Sequence, residues 1–136
     1  MSFKMPITIA KVIGEIQANR YVLPAIQREF VWSAEQIEKL FDSLMRGYPI
    51  GSFLFWAIDP QSLDNFRFYR FMDRYHQRDH KHNEPIDLVG NHNTVAVLDG
   101  QQRLTALNIG LRGWYAYKLP WYRWSSDYAF PKQHLY

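Results

Sequence analysis

Apolar positions along this chain recur at two spacings, and the switches between them mark where helices and strands fall. Ile9, Val12, Ile13 and Ile16 lie at i, i+3, i+4 and i+7, which predicts a short amphipathic helix over residues 8–18 that ends near Asn19. Tyr21, Val22 and Leu23 read as a short strand stopped by Pro24, followed by an extended loop through Ala25, Ile26, Gln27 and Arg28 toward Trp32. Ser33 and Gln36 have capping-box spacing, and Trp32 and Ile37 are placed to staple the helix start between them. Ile37, Leu40, Phe41 and Leu44 form the stripe of this second helix; Gly47 suits a left-handed cap, and Tyr48-Pro49 prevents continuation.

Residues 52–58 then predict a largely buried strand, and residues 66–71 a second strand with aromatics on both faces. Residues 72–93 read as a polar loop. A third strand is expected over residues 94–98, and Leu104, Leu107 and Leu111 mark a last helix ending at Gly113. These elements are expected to form one domain over residues 1–113. The tail, residues 114–136, holds nine of the 23 aromatic residues, too many for a disordered terminus. It is expected to pack on something, as the start of a longer C-terminal extension or as a self-association surface.

Composition narrows the class. At 136 residues the chain fits one domain. The absence of cysteine excludes disulfides, thiolate metal sites and a cysteine nucleophile. No apolar leader and no run of about 18 apolar residues is visible, so a cytoplasmic protein without membrane contact is expected. A net charge of +3 leans toward polyanionic partners, without the dense basic stripe of a dedicated DNA-binding module.

The candidate chemistry centres on Asp99-Gly100-Gln101-Gln102-Arg103, where a strand passes through a glycine into a helix. Such a junction aims backbone N–H groups and the positive end of the helix dipole at one point, which suits a phosphate. Gly100 allows close approach, Gln101 and Gln102 offer amide donors, Arg103 a planar fork, and Asp99 a ligand for Mg²⁺ or an orienter of water. The competing reading makes Asp99 an N-cap with Gln102 at N3 and Arg103 a solvated residue on an exposed helix turn. Gln27 and Arg28 form a second group, a pre-aimed cation or a surface partner of Glu29 or Glu35. Asp42 and Ser43, just off the apolar stripe, border a pocket or face solvent. His76, His80, His82 and His92 lack a helical pattern and a carboxylate arrangement, so the metal reading is disfavoured. The aromatic–arginine interleaving of residues 66–70 fits base stacking less well than a core strand.

Three stretches together resemble a known family: Leu23-Pro24-Ala25-Ile26-Gln27-Arg28-Glu29-Phe30-Val31-Trp32, Phe41-Asp42-Ser43-Leu44-Met45-Arg46-Gly47-Tyr48-Pro49-Ile50-Gly51, and Val97-Leu98-Asp99-Gly100-Gln101-Gln102-Arg103-Leu104-Thr105-Ala106-Leu107. In order and wording they look like the N-terminal domain of the GmrSD-type, modification-dependent restriction endonucleases, over about residues 7 to 112. The resemblance implies a ParB/sulfiredoxin-like α+β fold, a small mixed sheet with flanking helices. It also implies a nucleoside-triphosphate-binding, often hydrolysing, sensor of a phage-defence restriction system that works with an HNH-type nuclease, a motif this chain lacks. By position, Asp99, Gly100, Gln101, Gln102 and Arg103 become the phosphate and Mg²⁺ site for GTP or ATP, with Asp99, Gln102 and Arg103 as the catalytic group. Gln27 and Arg28 would line that site, with Asp42 and Ser43 at its edge. The alternative is a ParB-like DNA-binding or assembly module without enzymatic activity, in which Arg28, Arg67, Arg70 and Arg103 contact phosphates.

Overall fold

The computed structural model describes residues 6–25, 30–88 and 93–135. Three helices, α1 (Ile9–Gln17), α2 (Ala34–Met45) and α3 (Gln101–Arg112), pack with seven short strands. These are β1 (Tyr21–Pro24), β2 (Leu54–Ala57), β3 (Phe68–Tyr69), β4 (Arg74–His76), β5 (Pro85–Ile86), β6 (Val95–Asp99) and β7 (Trp114–Ala116). Five strands form a mixed sheet in the order β2-β6-β1-β3-β5, in which β1 and β6 run parallel and the other pairs antiparallel; β4 and β7 form a separate parallel pair. The protein is therefore a small α+β fold.

The helix ends follow local chemistry. Thr8 caps α1 by accepting from Lys11 N at 3.1 Å, and Ser33 and Gln36 close a full capping box on α2. Asn19 (φ 59°) and Gly47 (φ 76°) take the left-handed conformation after α1 and α2. In each case the next amide bonds back to the carbonyl five residues earlier, Arg20 to Glu15 and Tyr48 to Ser43, both at 2.9 Å, which is the Schellman closure.

Helix α3 behaves differently from its sparse leucine stripe. Leu104 through Ile109 are buried without a break, because the sheet, α2 and the β4–β7 pair all press on it. A helix buried all round needs its polar groups paired. Thr105 Oγ1 donates to Gln101 O at 2.8 Å, and the fully buried Asn108 donates to Met72 O at 2.9 Å and accepts from Arg112 at 3.2 Å. Glycines set its contacts: a side chain at Gly110 would strike the Phe41 ring of α2, and one at Gly113 would overlap the Asp73 carbonyl oxygen.

Two expectations need correction. The strand expected to be largely buried over residues 52–58 shortens to β2, an edge strand that pairs only with β6 and leaves Leu54, Trp56 and Ala57 exposed. Its aromatics mislead because they divide between two faces: Phe55 packs with Tyr21 against the core, while the exposed Trp56 lies edge-on to the exposed Phe66. The loop expected over residues 72–93 contains β4 and β5 and a tight turn in which His76 and His80 exchange backbone bonds at 3.0 and 2.9 Å. These strands are two and three residues long, too short for alternation to show.

The aromatic segment after α3 starts as β7 beside β4, where Tyr75 and Tyr115 stack at 4.7 Å. The Tyr115 hydroxyl donates to Trp32 O at 3.1 Å, and burial pushes its pKa up to about 12, so it stays a donor. No helix among the described residues is long and apolar enough to cross a membrane.

Gly14 and Gly113 should respond oppositely to alanine. A methyl at Gly14 meets no atom within 4 Å in the middle of α1, so Gly14→Ala should stabilise the protein by about 0.5–1 kcal/mol. Gly113→Ala should destabilise it by about 1–3 kcal/mol, because a backbone oxygen must move. Urea unfolding of both variants checks this, and equal or reversed shifts would contradict the packing described.

Candidate functional site

The strand-to-helix passage from β6 to α3 is built on Gly100. With φ 91° and ψ 15° it occupies the N-cap position, and it has no side chain with which to cap the first turn. The first amides of a helix have no intrahelical acceptor, so Gln101, Gln102 and Arg103 present theirs at the positive end of a 12-residue helix. Asp99 is therefore not the N-cap. Its exposed carboxylate accepts from Gly100 N at 3.0 Å, one residue before the cap.

The three side chains after Gly100 tie the turn down. Gln101 Nε2 donates to Val97 O at 2.8 Å, back onto β6. Gln102 Oε1 accepts from Val31 N at 3.1 Å, fastening the segment before α2 to the head of α3. Arg103, expected on an exposed turn, is half-buried: Nη2 donates to Ser52 O at 2.8 Å and Nη1 to Ile50 O, and the guanidinium lies 4.4 Å from the centre of the Phe53 ring. Its planar fork matches two carbonyls of one loop, a geometry an ammonium group would not reproduce.

That contact explains a second glycine. Gly51 has φ 94°, and a side chain there would collide with Arg103 Nη1, while a side chain at Gly100 would land on Phe53. Gly51, Phe53, Gly100 and Arg103 thus interlock. Beyond the helix stop at Tyr48-Pro49 and the family-like stretch ending at Gly51, no site role was expected of residues 48–53; the signal for one was a pair of glycines in turns, distant in sequence, each needing positive φ.

The remaining candidates fall as follows. Gln27 and Arg28 lie outside the described residues, though Val31, which Gln102 holds, follows Arg28 by three positions. Asp42 is exposed and pairs with Arg46 at 3.0 Å, and Ser43 contributes its carbonyl to the α2 cap. No hydrogen bond or ion pair among the described residues joins Asp42 or Ser43 to the turn at Gly100. Of the arginines grouped as phosphate contacts, Arg70 lies 4.0 Å from Glu84, Arg67 is exposed, and Arg103 is engaged with carbonyls. No cluster of three metal-ligating side chains occurs among the described residues; His92 lies outside them.

Replacing Arg103 should cost stability. Arg103→Ala removes the donor of two backbone carbonyls and should destabilise the fold by about 1–3 kcal/mol, and Arg103→Lys should recover only part of that loss. Thermal melting of both variants checks it; an alanine variant as stable as the parent would show that the fork carries no structural weight.

The profile of the GmrSD restriction endonuclease N-terminal domain matches residues 9–134, which takes in every described element. A protein of Methanocaldococcus jannaschii whose name calls it uncharacterised is 35% identical over 119 residues. That alignment covers 88% of this chain and 19% of the relative, so the chain spans about a fifth of the length of the protein it matches. From residues 9–134, then, the chain belongs to the family of GmrSD restriction endonuclease N-terminal domains.

Proposed function

We propose that this domain binds a nucleoside triphosphate with Mg²⁺ at the β6–α3 turn, as the sensor of a restriction system that acts against phage together with an HNH-type nuclease domain or subunit. Family membership supports the restriction setting. The observation that carries the nucleotide reading is the start of α3 at Gly100, an N-cap residue that makes no side-chain cap bond and admits close approach, beside the exposed Asp99 carboxylate. Backbone N–H groups at a helix N-terminus are ready-made donors to phosphate oxygens. Mg²⁺ is commonly held by one or two carboxylates together with substrate phosphates, so a single carboxylate here fits an ion carried in by its nucleotide.

In this reading the roles of the motif residues divide. Asp99 would hold Mg²⁺, directly or through water, or orient an attacking water, and the α3 amides would take the phosphate oxygens. Gln102 and Gln101 fix the turn from either side through their bonds to Val31 and Val97. Arg103 acts as a positioning residue, keeping the residues 48–52 loop against the turn with its charge half-buried nearby. Gln27 and Arg28 would line the site from the segment that Gln102 tethers, with Arg28 supplying a cation. When bound, Mg²⁺ would offset the negative charge of the phosphates. Hydrolysis, if the domain performs it, would rest on positioning and electrostatics rather than on a covalent intermediate.

Calorimetric titration with GTP and with ATP, each with and without Mg²⁺, tests the reading. The parent should bind one of them in a Mg²⁺-dependent manner, and Asp99→Asn should weaken the Mg²⁺-dependent affinity by about 10–100-fold, the range seen when an indirect metal partner is lost. Binding that ignores both Mg²⁺ and the substitution would remove Asp99 from the site.

A further inference from the structure

Charge is spread unevenly over the molecule. Residues 74–82 and 114–135, which form the β4–β7 pair and the loops around it, carry six Lys/Arg against two Asp/Glu, while the rest of the chain carries ten against eleven. The same two stretches hold nine of the 23 aromatic residues. The whole positive excess therefore coincides with the aromatic cluster, away from the β6–α3 turn. A cavity of about 360 Å³ opens there, lined by Tyr75, Gln77, Arg78, Lys81 and Trp124.

Trp124 is 51% exposed, yet its carbonyl is held in place. Arg78 Nη1 donates to Trp124 O at 2.9 Å, and Nη2 reaches Asp127 at 2.7 Å. A bidentate grip by Asp79 at 2.7 and 2.9 Å fixes the same guanidinium. Lys118 Nζ binds the carbonyls of Leu119 and Tyr122 at 2.9 and 3.0 Å and lies 5.7 Å from the Trp124 ring centre. Three residues before it, Trp121 is 87% exposed. One side of the Trp124 ring packs on the buried Phe130, with ring centres 5.9 Å apart, and the other side is open to water; such pre-ordering lowers the entropic cost of binding a ligand against the open side.

We propose that this cavity receives an unpaired nucleotide of single-stranded nucleic acid, its base against the half-exposed indole of Trp124 and its phosphate beside Lys81, with Trp121, outside the cavity lining, open to a neighbouring base. Aromatic rings interleaved with cations are the chemistry by which unstacked bases and their backbone are held. The volume lies at the lower end of small-ligand sites, about 300–1,000 Å³, which suits one base with its phosphate and leaves no room for a duplex. An acidic peptide would satisfy the cations and leave the indoles in water. The site neither needs nor excludes a triphosphate at the β6–α3 turn, so either reading can fail alone.

The test is fluorescence titration of the full chain, without triphosphate, using an oligothymidine of about 12 nucleotides, a duplex of equal length, thymidine monophosphate and an oligoglutamate. The single strand should bind most tightly and weaken as salt rises. Trp124→Ala should weaken it by about tenfold or more, and Lys81→Glu should weaken it and flatten the salt dependence. Equal or tighter binding of the duplex, the monophosphate or the oligoglutamate would overturn the proposal, as would unchanged affinity in variants that melt like the parent. Should Trp124→Ala fail to fold, photo-crosslinking of 5-iodouracil oligonucleotide to the parent decides: attachment at Trp124 or Trp121 supports the site, and attachment elsewhere refutes it.

Discussion

Burial of α3 on every side is the constraint from which the rest of this molecule follows. Six consecutive residues, Leu104 through Ile109, are out of water, so the helix cannot turn or slide without exposing apolar surface or unpairing Asn108 and Thr105. Its far end accepts α2 and β4 only because Gly110 and Gly113 leave room for Phe41 and for the Asp73 carbonyl. Its near end is thereby fixed in direction, and the amides of residues 101–103 point where the core sends them.

The same fixity explains why Arg103 matters beyond its charge. An arginine in the first turn of a rigid helix has a defined reach, and here that reach ends on the carbonyls of Ile50 and Ser52. Through it the loop between α2 and β2 becomes part of the turn, stacked with Phe53 and dependent on positive φ at Gly51 and Gly100. Gln102 does the same for the segment before α2 by holding Val31. Two side chains of one motif thus gather two distant stretches around the uncapped helix end.

Much of this was readable in the chain. The capping box at Ser33, the end of α1 near Asn19, the left-handed exit at Gly47, and the passage from strand to helix at Gly100 follow from local chemistry, because the residues that decide them lie within a turn of one another. The edge position of β2 was hidden, since an exposed pair such as Trp56 and Phe66 looks in sequence like aromatics in a core. So was the pairing of β4 with β7, which joins positions 40 residues apart in register through strands of three residues. At the candidate site the strand–glycine–helix turn was legible, while the destination of Arg103 was not. Its partners are main-chain oxygens about 50 positions away, and a carbonyl has no sequence signature.

The central claim is that a triphosphate docks on the amides at the head of α3. Backbone amide shifts followed by NMR during titration with a slowly hydrolysed Mg²⁺–GTP or Mg²⁺–ATP analogue test it most directly. The account predicts that the largest saturable shifts fall at Gly100, Gln101, Gln102 and Arg103. Saturable shifts confined to other parts of the molecule, or none at any nucleotide concentration, would contradict it.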